Sequence, residues 1–251
     1  MRYLLLSFIL IQAAQASNES ICGEDNRSST KDLRIGRLTH NLQTACTVTM
    51  IGKECAISAG HCMYFMSEGK VEFDVPMSVA NTLGSSDPKN VYKIDSETID
   101  YVDGGYGRDW SVFKILPNPI TRSLPGEVNG FYPVNRAKMV VGEKIMISGY
   151  GIDQRENVKT HGTLQVASGE IVEIEEFNGG GSSAITVSHN VDTTPGDSGA
   201  AIIRVKEQDI IGVHSHGGFC SEIDGNKGTL ISETKKFREA IANCLNPERT
   251  E

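Results

Sequence analysis

The sequence predicts an all-β protein built as two halves of similar length. Three observations carry this. Short apolar or period-two runs recur between Gly, Pro, Asn and Asp breaks, a proline-rich stretch divides them, and convincing helical periodicity occurs only at the C-terminus. Before the dividing stretch the strand-like runs are RIGRL (34–38), ACTVTMI (45–51), ECAIS (54–58), VEFDV (71–75) and SVFKI (111–115). After it come KIMIS (144–148), GTLQVAS (162–168), AITV (184–187), AAIIRV (200–205), IIGVH (210–214) and GTLI (228–231). Many short strands with regular turn signals fit a sandwich or barrels. The divider, PNPITRSLPGEVNGFYP at 117–133, holds four prolines and two glycines and reads as a linker. In the last segment, 233–245, Phe237, Ile241 and Cys244 with Leu245 fall on one helix face. Ser232 is placed to cap its start and Asn246-Pro247 to end it.

Composition narrows the class. The chain has 251 residues, 39% hydrophobic, with 26 glycines, which suffices for one large core or two smaller ones and excludes disorder. Net charge is −8 and no Lys/Arg-rich stretch tracks a phosphate backbone, so nucleic acid is excluded as a partner. The opening MRYLLLSFILIQAAQAS has one positive residue, an apolar run from Tyr3 to Ile11 too short to span a bilayer, and an A-x-A site at Ala14-Gln15-Ala16. It predicts a signal peptide over 1–16 and a secreted or periplasmic mature chain with no membrane partner after cleavage. In such a compartment the six cysteines predict disulfides. Their spacing has no C-x-x-C pair and no zinc signature, so neither metal nor cofactor is expected. The expected organisation is an N-terminal segment (17–30), a first β unit (31–125), and a second β unit with the C-terminal helix (126–251), acting as a monomer.

Candidate chemistry centres on TTPGDSGAAI, which sets Ser198 in a glycine-flanked turn. Glycines allow a tight backbone whose N–H groups converge on one spot, which suits a developing negative charge. The plainer reading is a Pro-Gly turn leading into the strand from Ala200. A serine hydroxyl needs a positioned base. His61 in AISAGHC follows an apolar strand among small residues, and Asp109 in GYGRDWSVFKI, with Trp110 beside it as a shield from water, is the carboxylate to orient an imidazole. Each alone is matched by a structural reading: a histidine beside a disulfide, or a strand-capping aspartate. Their order His, Asp, Ser with G-D-S-G makes chance a poor account.

These motifs resemble the chymotrypsin-fold (trypsin-like) serine peptidases from about Ile35 to the C-terminus. The resemblance implies two packed six-stranded antiparallel barrels, a cleft between them and a C-terminal helix. It implies catalytic roles for Ser198 as nucleophile, His61 as base and then acid, and Asp109 as orienter, with an oxyanion hole from the N–H groups of Gly196 and Ser198. It also implies a Cys46–Cys62 bridge. Cys22, Cys55, Cys220 and Cys244 are left with three possible pairings.

The segments GEDNRSSTKDLRIGRL, ACTVTMIGKECAISAGHC, HNVDTTPGDSGAAI and IGVHSHGG are similar to the bacterial glutamyl-endopeptidase branch. That likeness implies a secreted serine endopeptidase acting through an acyl-enzyme after Glu, with Thr193 and His214 lining the specificity pocket and His216 a weaker candidate to share it. Asp192 complicates this, because trypsins place there the aspartate that binds Arg or Lys. The alternatives are cleavage after Arg/Lys through Asp192, a non-catalytic homologue that binds a partner through the same cleft, or a non-peptidase hydrolase using the same three residues. Glu19, just upstream of GEDNR, is a candidate point of self-trimming that would expose Ser20.

Overall fold

The structure is a computed structural model that describes residues 20–40, 43–65, 69–79, 82–153, 159–179, 182–220 and 224–246. The signal segment 1–16, Glu19 and Pro247 lie outside these. In chain order the elements are β1 (Ser28–Ser29), β2 (Ile35–His40), β3 (Gln43–Met50), β4 (Cys55–Ser58), β5 (Lys70–Glu72), β6 (Val91–Asp103) and β7 (Asp109–Ile115). They continue with α1 (Pro125–Asn129), β8 (Lys144–Gly149), β9 (Gln165–Gly179), β10 (Ser182–His189), β11 (Ala201–Arg204), β12 (Ile210–His216), β13 (Asn226–Leu230) and α2 (Lys235–Leu245). Two 3₁₀ turns stand at His61–Phe65 and Pro88–Asn90.

The first six long strands close into a barrel in the order β2-β3-β4-β7-β6-β5. The second barrel runs β9-β10-β13-β12-β11-β8, is closed by the pairing of β8 with β9, and carries β1 along β9. This is the all-β, two-barrel fold expected from the sequence. The inward sides of the strands fill each interior, with Leu38, Val48, Phe73 and Phe113 in the first barrel and Ile147, Val187, Ile202 and Leu230 in the second. A third apolar layer joins them: Ile35, Ile57, Tyr150 and Val213 pack with Trp110 against Phe237 and Ile241 of α2. That layer fixes the cleft, because the residues flanking it belong to both barrels.

Several elements differ from the sequence reading, each for a physical reason. β6 escaped notice because most of its thirteen residues, VYKIDSETIDYVD, are polar and partly or fully exposed. Ladder bonds to β5 and β7, with an irregularity between Asp95 and Asp100, hold it where side-chain pattern gives no signal. β9 runs well past residue 168 because β10 pairs with its polar outer half. The linker holds a helical turn, α1, started by Pro125 and ended at Gly130, whose φ is 79°. Ser232 does not cap α2: Thr234 takes the N-cap position, and the Ser232 hydroxyl donates to Glu233.

The disulfides are Cys46–Cys62, Cys22–Cys220 and Cys55–Cys244. The first ties β3 to the turn that carries His61. The second ties the N-terminal segment to the loop after β12, and the third fastens α2 to the first barrel. Replacing Cys46 and Cys62 together by alanine is expected to lower unfolding free energy by about 2–4 kcal/mol, as befits a short loop. Denaturant unfolding measures the loss, and mass mapping of the unreduced protein checks the pairing; Cys46 joined to any other cysteine would overturn it.

Candidate active site

Asp109 opens β7 at the junction of the barrels and is fully buried. Thr229 of β13 grips its main chain from the other barrel, its hydroxyl lying 3.1 Å from both the N–H and the carbonyl of Asp109. The carboxylate is held on all sides. Its Oδ1 accepts the backbone N–H groups of Gly60 and His61, the latter at 3.0 Å, and its Oδ2 lies 2.6 Å from His61 Nδ1. A side chain at Gly60 would collide with the Val102 carbonyl, so the small residue before His61 is what lets the turn approach the carboxylate. Trp110, expected to shield Asp109, instead stacks on Phe237 at 5.0 Å. Neighbouring strand residues point to opposite faces, and the groups meeting the carboxylate are those of Gly60, His61 and His216. His216 Nδ1 lies 3.6 Å from Asp109 Oδ2, and its ring centroid is 5.5 Å from that of His61.

The serine lies beside this pair, its Oγ donating to the Ser215 carbonyl at 3.4 Å, one residue before His216. Gly196 and Gly199 adopt φ of 106° and 88°, and a Cβ on Gly199 would strike Ser58 and the main chain of Thr47. Thr47 pins the turn, its N–H donating to the Ser198 carbonyl at 2.8 Å and its hydroxyl to that of Gly196 at 2.9 Å. The Pro195 carbonyl accepts from Ile152 and the Asp197 carbonyl from Ala200. Within a planar trans peptide the N–H points opposite to the C=O, so the N–H groups of Gly196 and Ser198 both face away from those partners. Beneath the turn, Arg27 donates to Thr194 Oγ1 at 2.7 Å and pairs with Asp25 at 2.9 Å. Burial works against its charge, but the hydrogen bond Arg27 donates to Asp25 and the charges of Asp25, Asp197 and Asp153 outweigh it and raise its pKa.

On the other side of the turn Thr193 and His214 are both fully buried. The Thr193 hydroxyl has no hydrogen-bond partner among the described residues. His214 of β12 is locked to the turn through Gly199 and Ala200 main-chain bonds at 2.8 and 2.9 Å. Behind it, 3.2 Å from its Nδ1, lies Nε2 of His189, also fully buried. Burial first, then the charges of His214 and Lys227, hold the His189 pKa well below the usual range, so this ring is neutral at pH 7. Asp192 is engaged by the N-terminal segment: its two oxygens accept the N–H groups of Cys22 at 2.6 Å and Asn26 at 2.8 Å. Ser20 lies next to Thr193, its carbonyl accepting the Thr193 N–H at 3.3 Å and the Asn226 amide at 2.8 Å. Its own N–H donates to Asn226 Oδ1 at 3.2 Å.

The sequence matches the trypsin family over residues 22–241. The chain belongs to the trypsin family of serine proteases. It is 26% identical over 248 residues to the glutamyl endopeptidase of Bacillus licheniformis, an alignment covering 93% of this chain and 71% of the relative. Among solved structures it is similar to a Glu endopeptidase with a TM-score of 0.63 at 21% identity, covering 89% of this chain and 98% of the other. A thermostable serine protease from an extremophilic microorganism matches with a TM-score of 0.60 at 13% identity, over 86% of this chain and 98% of that one.

Within this trypsin-family chain the structure thus brings His61, Asp109 and the Ser198 turn into one region. It sets Thr193 and His214 beside that turn, and places His216 against the carboxylate of Asp109. Arg27, His189, Asn226 and Thr229 were not singled out from the sequence as site residues. Arg27 had a signal there in the Asp/Asn-Arg step of GEDNR, where Asn26 precedes it. The others are ordinary strand residues until the chain folds and brings His214, Ser20 and Asp109 to them.

Proposed function

We propose that this protease is a secreted endopeptidase that cleaves after glutamate, with Ser198 as nucleophile, His61 as base and Asp109 as orienting carboxylate. Three disulfides and the signal-like segment at 1–16 support secretion. With Nδ1–H turned to Asp109, His61 presents Nε2 to take the Ser198 proton as Oγ attacks the scissile carbonyl. The N–H groups of Gly196 and Ser198 receive the oxyanion. The intermediate collapses to an acyl-enzyme, the amine leaves with the proton from His61, and water repeats the sequence to release the acid.

One observation carries the choice of glutamate over arginine or lysine: both Asp192 oxygens are bound by main-chain N–H groups of the N-terminal segment. A carboxylate so occupied is a clamp for that segment, and Thr193 and His214 remain as hydrogen-bonding partners for an acidic side chain. Profiling a mixed peptide library with the purified protein tests this. Cuts after Glu are expected; cuts after Arg or Lys would return the pocket to Asp192. Labelling of Ser198 by a fluorophosphonate, which needs an activated serine, separates an enzyme from a binding protein.

The clamp also bears on maturation. Ser20 is held by Asn226 beside Thr193, so a chain cut after Glu19 would place a new α-amino group at the pocket. Such an amine adds a charge-assisted hydrogen bond of about 1.5–3 kcal/mol to a substrate carboxylate. Glutamate specificity and the Glu19-Ser20 bond together lead to self-trimming. N-terminal sequencing of the secreted protein is expected to give Ser20 for wild type and an earlier start for Ser198→Ala; a Ser17 start in both would rule it out.

A further inference from the structure

We propose that the cleft holds an inhibitory site for a divalent transition-metal ion of the zinc type, formed by His61, Asp109 and His216. Each of the three offers one ligand atom, and these atoms lie within 4.8 Å of one another. Two imidazole nitrogens and a carboxylate oxygen are a zinc donor set, with a fourth position left for water. The sequence hides the site because its three ligands lie on separate elements: the turn after β4, the start of β7 and the end of β12.

The geometry is close to what the ion requires. Tetrahedral donors at zinc bond lengths stand about 3.3–3.6 Å apart. Asp109 Oδ2 and His216 Nδ1 are already 3.6 Å apart, and His61 Nδ1, now 2.6 Å from that oxygen, need withdraw by less than about 1 Å. The side chains of His61 and His216 are 32% and 19% exposed, which gives the ion a route from the cleft, while Asp109 supplies a fully buried anion. Tyr106 packs its ring 5.1 Å from His216 and limits where that imidazole can turn. On binding, the imidazole lone pairs form the metal–nitrogen bonds, and the Nδ1 proton that His61 shares with Asp109 is relayed through water to the ring's own Nε2, so His61 binds as a neutral imidazole. The ring is then withdrawn from Ser198 and its tautomer is lost, so hydrolysis stops until the ion leaves.

The inhibitory half rests on His61 being the catalytic base, so the test reads binding and activity separately. Zinc chloride at micromolar levels is expected to inhibit wild type, with activity restored by EDTA. In His216→Ala, measured against its own zinc-free rate, the half-inhibitory zinc concentration should rise at least about tenfold. Cobalt(II) added to wild type should give the visible absorption of a tetrahedral site, and that band should be lost in His216→Ala whether or not either protein hydrolyses peptides. Equal zinc sensitivity in the two proteins, or no cobalt band in wild type, would overturn the site. A band that depends on His216 without inhibition would overturn its inhibitory role.

Discussion

Ser198→Ala is expected to lower turnover by on the order of 10⁴ to 10⁶ while leaving the melting transition nearly unchanged. The two halves of that expectation have different origins. The turn is built by glycine dihedrals and by main-chain bonds to Thr47, Ile152, Ala200 and His214, none of which uses the serine side chain. Ser198 also sits at the cleft, where removing one hydroxyl leaves little cavity. Chemistry, by contrast, has no substitute for the oxygen that attacks. His61→Ala should fall to a similar level, and the double variant no further multiple lower, because the residues act as a unit. Single-turnover kinetics on a peptide substrate, beside circular-dichroism melting, measures both. Retention of a tenth of the wild-type rate would remove Ser198 from the mechanism.

Much of this arrangement is legible in the sequence for a physical reason. The residues at the cleft need small neighbours: Gly60 passes under Val102, and Gly199 approaches Thr47 too closely for any side chain. Such constraints leave short signatures of small residues, AGHC and GDSG, that can be read without coordinates. The strands of the cores are legible because burial on one face writes a pattern. β6 writes none, since its place is set by hydrogen bonds to its neighbours and its side chains stand largely in water. Residues that act between distant strands are silent for a related reason. Thr229 grips Asp109 across the barrel junction from 120 positions away, and His189 of β10 reaches His214 of β12 inside the second barrel, contacts that exist only once the strands have come together. Asp192 shows the opposite hazard. Its position suggests a pocket floor, while both its oxygens accept main-chain N–H groups of the N-terminal segment, from Cys22 and Asn26, that nothing in the local sequence announces.

His214→Leu is expected to reduce kcat/KM for cleavage after Glu by on the order of 10² to 10⁴, without creating an Arg/Lys protease. A substrate carboxylate entering a buried pocket gives up water, at a cost of several kcal/mol unless donors meet it. His214 is fully buried, and the 3.2 Å contact with His189 orders it: one ring must donate and the other accept. With His189 held neutral, its Nε2–H can donate to Nδ1 of His214, which puts the N–H of His214 on the opposite nitrogen, Nε2, as the donor for substrate. Leucine fills much the same space and offers no donor, so the loss falls on acidic substrates. Thr193→Val, which removes one neutral hydroxyl, should cost about 1 kcal/mol, or roughly fivefold. Leucine also strands His189, so the rate of fluorophosphonate labelling serves as a control, unchanged if Ser198 and His61 are still aligned. With that rate preserved, undiminished cleavage after Glu would remove His214 from the pocket. A gain of cuts after Arg or Lys would mean that Asp192 leaves its two main-chain partners to face the substrate.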